Sequence, residues 1–243
     1  MKITRSVCCT AIAVALAGCG GQSSNSTSYG FVPPAMGSQR SYTVTDVNPT
    51  STSVNTVIQS VTKVNPDGSF SYHEDVPPEV PLNGSNYLPG DYADDNGGHL
   101  LTFTPTVGLS CTAWERGPGP GFPVTVGENW QWTYQYLCGP QIYVPSLDTG
   151  HSETGSVIEV EPVTVPAGTF AAVKLQSTVH STLLSFSGAN FGPCAGGCTE
   201  TRTEWLDTGT GELIKSTYTY DYGTGGPPTT TVLLSETREL VTP

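Results

Sequence analysis

Asn129-Trp130-Gln131-Trp132-Thr133-Tyr134-Gln135-Tyr136 alternates polar and aromatic side chains without a break. Successive side chains of an extended chain point to opposite faces, so a period of two puts Trp130, Trp132, Tyr134 and Tyr136 on one face of a strand. Residues 211–222, GELIKSTYTYDY, keep the same habit. There Ile214, Tyr218, Tyr220 and Tyr222 share one face, and Leu213, Lys215, Thr217, Thr219 and Asp221 share the other. Residues 169–179 and 229–241 also read as strands. After the first 18 residues no segment carries an apolar stripe at helical spacing. The expected fold is mainly β, an antiparallel sheet forming a half-barrel or sandwich.

Two degenerate matches within the chain suggest how that sheet is built. Residues 31–44, FVPPAMGSQRSYTV, parallel residues 122–134, FPVTVGENWQWTY, with Gly37 over Gly127 and Tyr42 over Trp132. Residues 57–70, VIQSVTKVNPDGSF, lie without a gap over residues 157–170, VIEVEPVTVPAGTF. Val57/Val157, Ile58/Ile158, Pro66/Pro166, Gly68/Gly168 and Phe70/Phe170 match. Proline fixes one φ and glycine supplies a positive one, as a two-residue hairpin turn needs. These matches divide the β-rich domain, residues 31–241, into repeats at 31–110 and 122–241. Residues 77–98, 115–123 and 188–198, crowded with Pro, Gly, Asn and Asp, read as loops.

The N-terminus reads differently. Lys2 and Arg5 precede a run of small and apolar residues, Val7 to Gly18, which is too short to span a bilayer permanently. The order of charge, apolar run, small residues and cysteine at Leu16-Ala17-Gly18-Cys19 resembles the lipobox of bacterial lipoproteins. The resemblance implies a signal peptide over residues 1–18, diacylation of Cys19, cleavage before it and acylation of the new amino terminus. Each buried methylene adds ~0.8 kcal/mol, so such a cysteine would hold the chain on a membrane without a transmembrane helix. Residues 19–30, mostly Gly, Ser, Asn and Thr, read as a flexible tether. By the same resemblance, Gly20 and Gly21 stand where enteric bacteria place an aspartate for inner-membrane retention, which favours the outer membrane. The expected location is the cell envelope, facing the periplasm or the surface.

A second, looser resemblance covers the last third. VPAGTF at 165–170, followed by TEWLDTGTGELIKSTY at 203–218, is similar to β-rich envelope domains of uncharacterised function. Some of those have folds like the lipoprotein-localisation carriers, which implies a curved antiparallel sheet with an apolar concave face.

Composition narrows the partners. The net charge is −12, and losing Lys2 and Arg5 with the signal makes it −14, so nucleic acid is excluded as a partner by repulsion. Cys8 and Cys9 leave with the signal, and Cys19 is assigned to lipid. Cys111, Cys138, Cys194 and Cys198 remain, and an oxidising compartment favours two disulfides over free thiols. Of three connectivities the expected one is Cys111–Cys138 with Cys194–Cys198, the latter closing a short glycine-rich loop. A four-cysteine zinc site would need paired short knuckles, which the spacing lacks.

Catalytic motifs are absent from the sequence. Gly108-Leu109-Ser110-Cys111-Thr112 and Gly150-His151-Ser152-Glu153-Thr154 approach a nucleophile elbow but lack its last glycine. His73, His99, His151 and His180 are scattered, and His73-Glu74-Asp75-Val76-Pro77 offers one metal-type histidine before a proline. Asp91, Asp94, Asp95 and Asn96 form the densest oxygen cluster but miss the alternating spacing of a calcium loop. Glu159 and Glu161 share a strand face that reads as the wet side. Neither a metal nor a cofactor is expected. The aromatic face of Trp130, Trp132, Tyr134 and Tyr136 admits two readings, a packed core or the wall of a cavity for a hydrophobic ligand. The leading functional expectation is a non-enzymatic, lipid-anchored envelope protein that binds a hydrophobic ligand or a protein partner through its sheet. The alternative is a secreted-type hydrolase, with His151 or His180 as the base.

Overall fold

The computed structural model describes residues 27–75, 90–95, 100–105, 110–114, 120–139, 147–186, 198–222 and 234–243. Cys19, Cys194, Asn96 and most of the expected signal and tether lie outside them. Among the described residues there is no helix, and every regular element is a strand.

Among the described residues fourteen strands follow one another. The first half supplies β1 (Ser28–Tyr29), β2 (Gln39–Val47), β3 (Thr52–Val64), β4 (Phe70–Asp75), β5 (Gly90–Asp94), β6 (Leu100–Pro105) and β7 (Ser110–Trp114). The second supplies β8 (Val124–Thr125), β9 (Asn129–Gly139), β10 (Leu147–Val165), β11 (Gly168–Phe186), β12 (Cys198–Asp207), β13 (Leu213–Asp221) and β14 (Ser235–Thr242). Each of β2–β7 and β9–β14 is an antiparallel meander of six neighbours, and β14 pairs with β2 to join them. The mainly β, antiparallel class is as the sequence predicts. The curvature goes a step beyond a half-barrel, because β9 pairs with both β7 and β10 and the sheet returns on itself as a twelve-stranded ring. Among the described residues, the twelve strands of the ring have no edge strand left to pair with a foreign chain.

Both halves begin with the same local device. Gly37, at φ +79, donates its N–H to Val61 O, and Val61 N–H returns to Ser38 O. Gly127, at φ +88, donates to Val157 O, and Val157 N–H returns to Glu128 O. Directly after each valine the ladder slips by one residue, between Val61 and Lys63 and between Val157 and Glu159. Such a bulge sharpens the bend of a strand. The lead-in strands β1 and β8 pair with each other, and Phe31 and Phe122 meet with centroids 5.4 Å apart. The matching positions are thus Val61 and Val157 rather than the Val57 and Val157 of a gapless alignment. The hairpin tips differ as well: Pro166-Ala167 makes a two-residue turn, whereas Pro66-Asp67-Gly68 is closed by Asn65 and Ser69 with Gly68 at φ +86. Those four extra residues between bulge and tip make the β10–β11 hairpin the longer one.

That length fills one end of the barrel. Ala167 N–H donates to Leu240 O at 3.1 Å, and Val163, Val165 and Ala172 join Tyr42, Val44, Val57, Ile214 and Leu240 in an apolar cluster. A second cluster, Val124, Trp130, Val157, Val173 and Leu175, packs beside β8. Burying each such aliphatic side chain contributes about 1.5–3 kcal/mol. Farther along the same inward faces the apolar residues give way to Asp46, Glu74, Glu153 and Ser216, all buried.

The residues expected to lie in a loop at 77–98 include β5, a correction to the sequence reading. Gly90 to Asp94 pairs with β4 and β6, and no apolar alternation marks it, because Asp94 faces a polar interior. Glu159 and Glu161 do face water, held by Lys174 at 3.5 and 3.2 Å, but Ile158 and Val160 beside them are exposed too.

Candidate functional site: the barrel lumen

Among the described residues the interior holds a cavity of about 580 Å³. One wall is a run of aromatic rings. Phe122, Phe31, Phe70, Tyr72 and Tyr92 follow one another at centroid distances of 5.4, 5.7, 5.8 and 5.1 Å, and the last two planes are parallel within 1°. All five line the cavity. They come from the two lead-in segments and from β4 and β5, which puts the ladder on one side of the ring.

β12, six strands from β5 in a ring of twelve, supplies much of the facing wall. Its inward positions are Glu200, Arg202, Glu204 and Leu206, all at the cavity. β13 adds Tyr218 and Tyr220, and β14 adds Glu236 and Arg238. Arg40, Arg202 and Arg238, the three arginines among the described residues, all point inward, and each has a carboxylate. Arg40 pairs with Glu212, Arg202 with Glu200, and Arg238 with Glu74 at 2.9 Å and Glu236 at 3.9 Å. Tyr218 O–H donates to Glu204 at 2.9 Å. Ionised groups in a low-dielectric interior need such partners, and removing one from a pair leaves an uncompensated charge.

Acids nevertheless exceed bases. Six lining residues are Asp or Glu, against three arginines. Burial therefore raises several of these carboxyls above their ordinary range, including Glu204, Glu212 and Glu236. Asp94 is pushed up to about 8, by burial first and then by Asp95 and Glu74. Its Oδ1 has no hydrogen-bond partner. Burial also raises the phenols of Tyr72, Tyr92, Tyr218 and Tyr220, so all four remain O–H donors at neutral pH.

The expected site residues fall elsewhere. Trp130, Trp132 and Tyr134 share an inward face, as their spacing requires, yet none lines the cavity. Trp130 sits in the second apolar cluster and donates Nε1–H to the buried Glu153 at 3.1 Å. Trp132 packs against that cluster, and Tyr134, fully buried, stacks on His151 with centroids 4.8 Å apart. The side chain of Tyr136 lies outside the described residues. The acidic group at 91–95 divides across β5: Asp91 turns outward to His73 Nδ1 at 2.8 Å, while Asp94 turns into the lumen. Among the described residues no group of three or more His, Cys, Asp or Glu is placed to hold a metal ion.

The three described histidines make cross-strand contacts, and His99 lies outside the described residues. His73 meets Asp91, His151 meets Ser181 at 2.8 Å and His180 meets Thr199 at 2.9 Å, each with the residue directly opposite in the ladder. Such opposed pairs are ordinary stabilisers of a sheet. His151 is held neutral, its value lowered to about 4 by burial first and by Arg202 second. That makes it a weak base for activating Ser181 near pH 7.

Register sets Cys111 of β7 directly opposite Cys138 of β9. Cys198, which opens β12, is disulfide-bonded. The C-terminal motif forms an outer-surface cluster. Trp205 donates Nε1–H to Glu161 at 2.6 Å and lies between Lys174 and Lys215, whose ammonium groups are 5.7 and 5.9 Å from its ring centroid. Its turn is built on Asp207, whose Oδ1 accepts from the N–H groups of Gly209 and Thr210 at 2.9 Å. Gly211, at φ +74, leaves room for the backbone of Gly30 and Phe31, which an added Cβ would meet at 2.9–3.0 Å. This turn therefore helps seat Phe31 in the lumen wall.

No family model matches the chain, and no curated protein matches it. Solved structures similar in shape include a protein from Bacteroides fragilis described as exported and of YmcC-like fold, at 12% identity and a TM-score of 0.49. That match covers 89% of this chain and 99% of the other. The hypothetical lipoprotein YmcC from Escherichia coli matches at 11% identity and 0.44, over 84% of each chain. A protein from Parabacteroides distasonis described as a lipoprotein matches at 13% and 0.42, over 88% of this chain and 98% of its own.

Proposed function

We propose that this chain is a lipid-anchored envelope protein, held by an acylated Cys19, whose barrel is a non-enzymatic receptor for a small ligand. The observation that carries the reading is the 580 Å³ cavity inside a closed sheet, a volume in the range of small-molecule sites. Its lining alters the ligand expected from the sequence. A purely hydrophobic molecule would leave carboxylates and arginines facing it unsolvated, so the ligand is amphipathic, with one flat or apolar face for the aromatic ladder and polar groups for the wall opposite. The outer face supports a tether rather than a membrane-spanning barrel. Outward positions on β2, β3, β12 and β13 include Thr43, Thr45, Thr56, Ser60, Thr201, Thr203, Thr217 and Thr219, where a lipid-facing strand would present an apolar band. The glycines after Cys19 favour the outer membrane as the address.

Native extraction followed by mass spectrometry of the intact protein tests the reading. The expected result is a mature chain beginning at acylated Cys19 that carries a bound small molecule. A Cys19→Ser variant is expected in the soluble fraction, and its retention on the membrane after correct processing would overturn the anchor.

A further inference from the structure

We propose that the ligand of the lumen is an organic cation, with its positive end received between Asp94 and the stacked Tyr72–Tyr92 pair. This deepens the receptor reading and rests on it. The charge inventory decides the sign. Arg40, Arg202 and Arg238 are each engaged by a carboxylate, so an anionic ligand would compete with an interior carboxylate for its counter-charge. A cation finds the opposite situation, since acids outnumber arginines two to one in the lining and Asp94 Oδ1 has no partner.

Geometry supplies the rest. Tyr92 and Asp94 are two residues apart on β5, so both point inward from the same stretch of wall, and Tyr72 stands opposite Tyr92 on β4. A ring face carries negative charge density and attracts an ammonium or guanidinium placed over it. Beside a carboxylate that attraction acts in a site with little water to screen it. The remaining rings, Phe70, Phe31 and Phe122, extend away as a surface for the flat part of the same molecule. Burial pushes the Asp94 carboxyl up to about 8, so near neutral pH it holds a proton that an arriving cation would replace.

Calorimetric titration of the full mature protein in non-ionic detergent tests this with three probes of similar size: phenyltrimethylammonium, 2-phenylethanol and phenylacetate. The expected order is the cation at least tenfold tighter than the neutral probe, with phenylacetate weakest. Asp94→Asn is expected to cut the preference for the cation over the neutral probe at least fivefold, and Tyr92→Leu provides a second reading if that variant does not fold. Equal binding of the three probes, or tighter binding of phenylacetate, would overturn the cation assignment while leaving a ligand-binding lumen. Binding of none at millimolar concentration would remove both.

Discussion

Replacing Gly155 by alanine should unfold this barrel more readily than any other single methyl group added on β10. Gly155 lies opposite Trp130 in the β9–β10 ladder, and the indole covers it so closely that an added Cβ would overlap Cζ2 and Cε2 of the ring, with Ser177 Cβ at 2.8 Å on the other side. Trp130 has nowhere to go. It is 7% exposed, packed with Val157, Val173 and Leu175, and bonded through Nε1 to Glu153, which is 1% exposed. Overpacking of a filled core costs about 1–3 kcal/mol. Pulling Trp130 away from a buried carboxylate forfeits a further ~1.5–3 kcal/mol. A loss of roughly 3–5 kcal/mol should lower Tm by about 6–20 °C in a domain of this size. Gly37→Ala is the control, since Gly37 has open space around it and only its positive φ to defend, at about 1–2 kcal/mol. Urea unfolding followed by circular dichroism and tryptophan fluorescence measures both. If Gly155→Ala costs no more than Gly37→Ala, the close packing of Trp130 on Gly155 is wrong.

Three further outcomes follow from the interior. Arg238→Met removes the guanidinium that faces Glu74 and Glu236 and should destabilise by about 3–5 kcal/mol in the same urea assay, whereas Lys174→Met on the outer surface should change stability by less than ~1 kcal/mol. Asp94 binds its proton more tightly folded than unfolded, so its contribution is complete below about pH 4 and is lost as pH rises to about 8. Unfolding free energies at pH 5 and pH 8 should therefore favour pH 5 more strongly in the wild type than in Asp94→Asn, and an unchanged difference would count against a buried, unpartnered carboxyl. Peptide mapping without reduction should recover Cys111 linked to Cys138, whose opposed ladder positions fit disulfide spacing, and Cys194 linked to Cys198; any other pairing would contradict the β7–β9 register.

The strands that the sequence announces are those whose inner face is apolar or aromatic. Trp130, Trp132 and Tyr134 on β9 and Ile214, Tyr218 and Tyr220 on β13 stand inward as their period requires. β5 escapes because Tyr92 and Asp94 face a polar lumen, so hydrophobic alternation has nothing to report there. The candidate site itself is written in a different alphabet. In Thr199-Glu200-Thr201-Arg202-Thr203-Glu204 and Ser235-Glu236-Thr237-Arg238-Glu239, charges recur at every second position with Ser or Thr between most of them. That is period two with charge on the inside, and a search for buried apolar faces assigns those charges to solvent. The pairing of the two halves joins Ser28 to Thr125 and Tyr29 to Val124 through β1 and β8, and Ser235 to Val47 through β14 and β2, contacts far too distant along the chain for any local pattern to encode.

The most direct test is a crystal structure of the natively extracted protein, purified near pH 7 with no ligand added. The account predicts non-protein density in the lumen, with a positively charged group against Asp94, Tyr72 and Tyr92 and a flat moiety along Phe70 and Phe31. A lumen holding only ordered water, or one filled by the chain's own side chains, would contradict it.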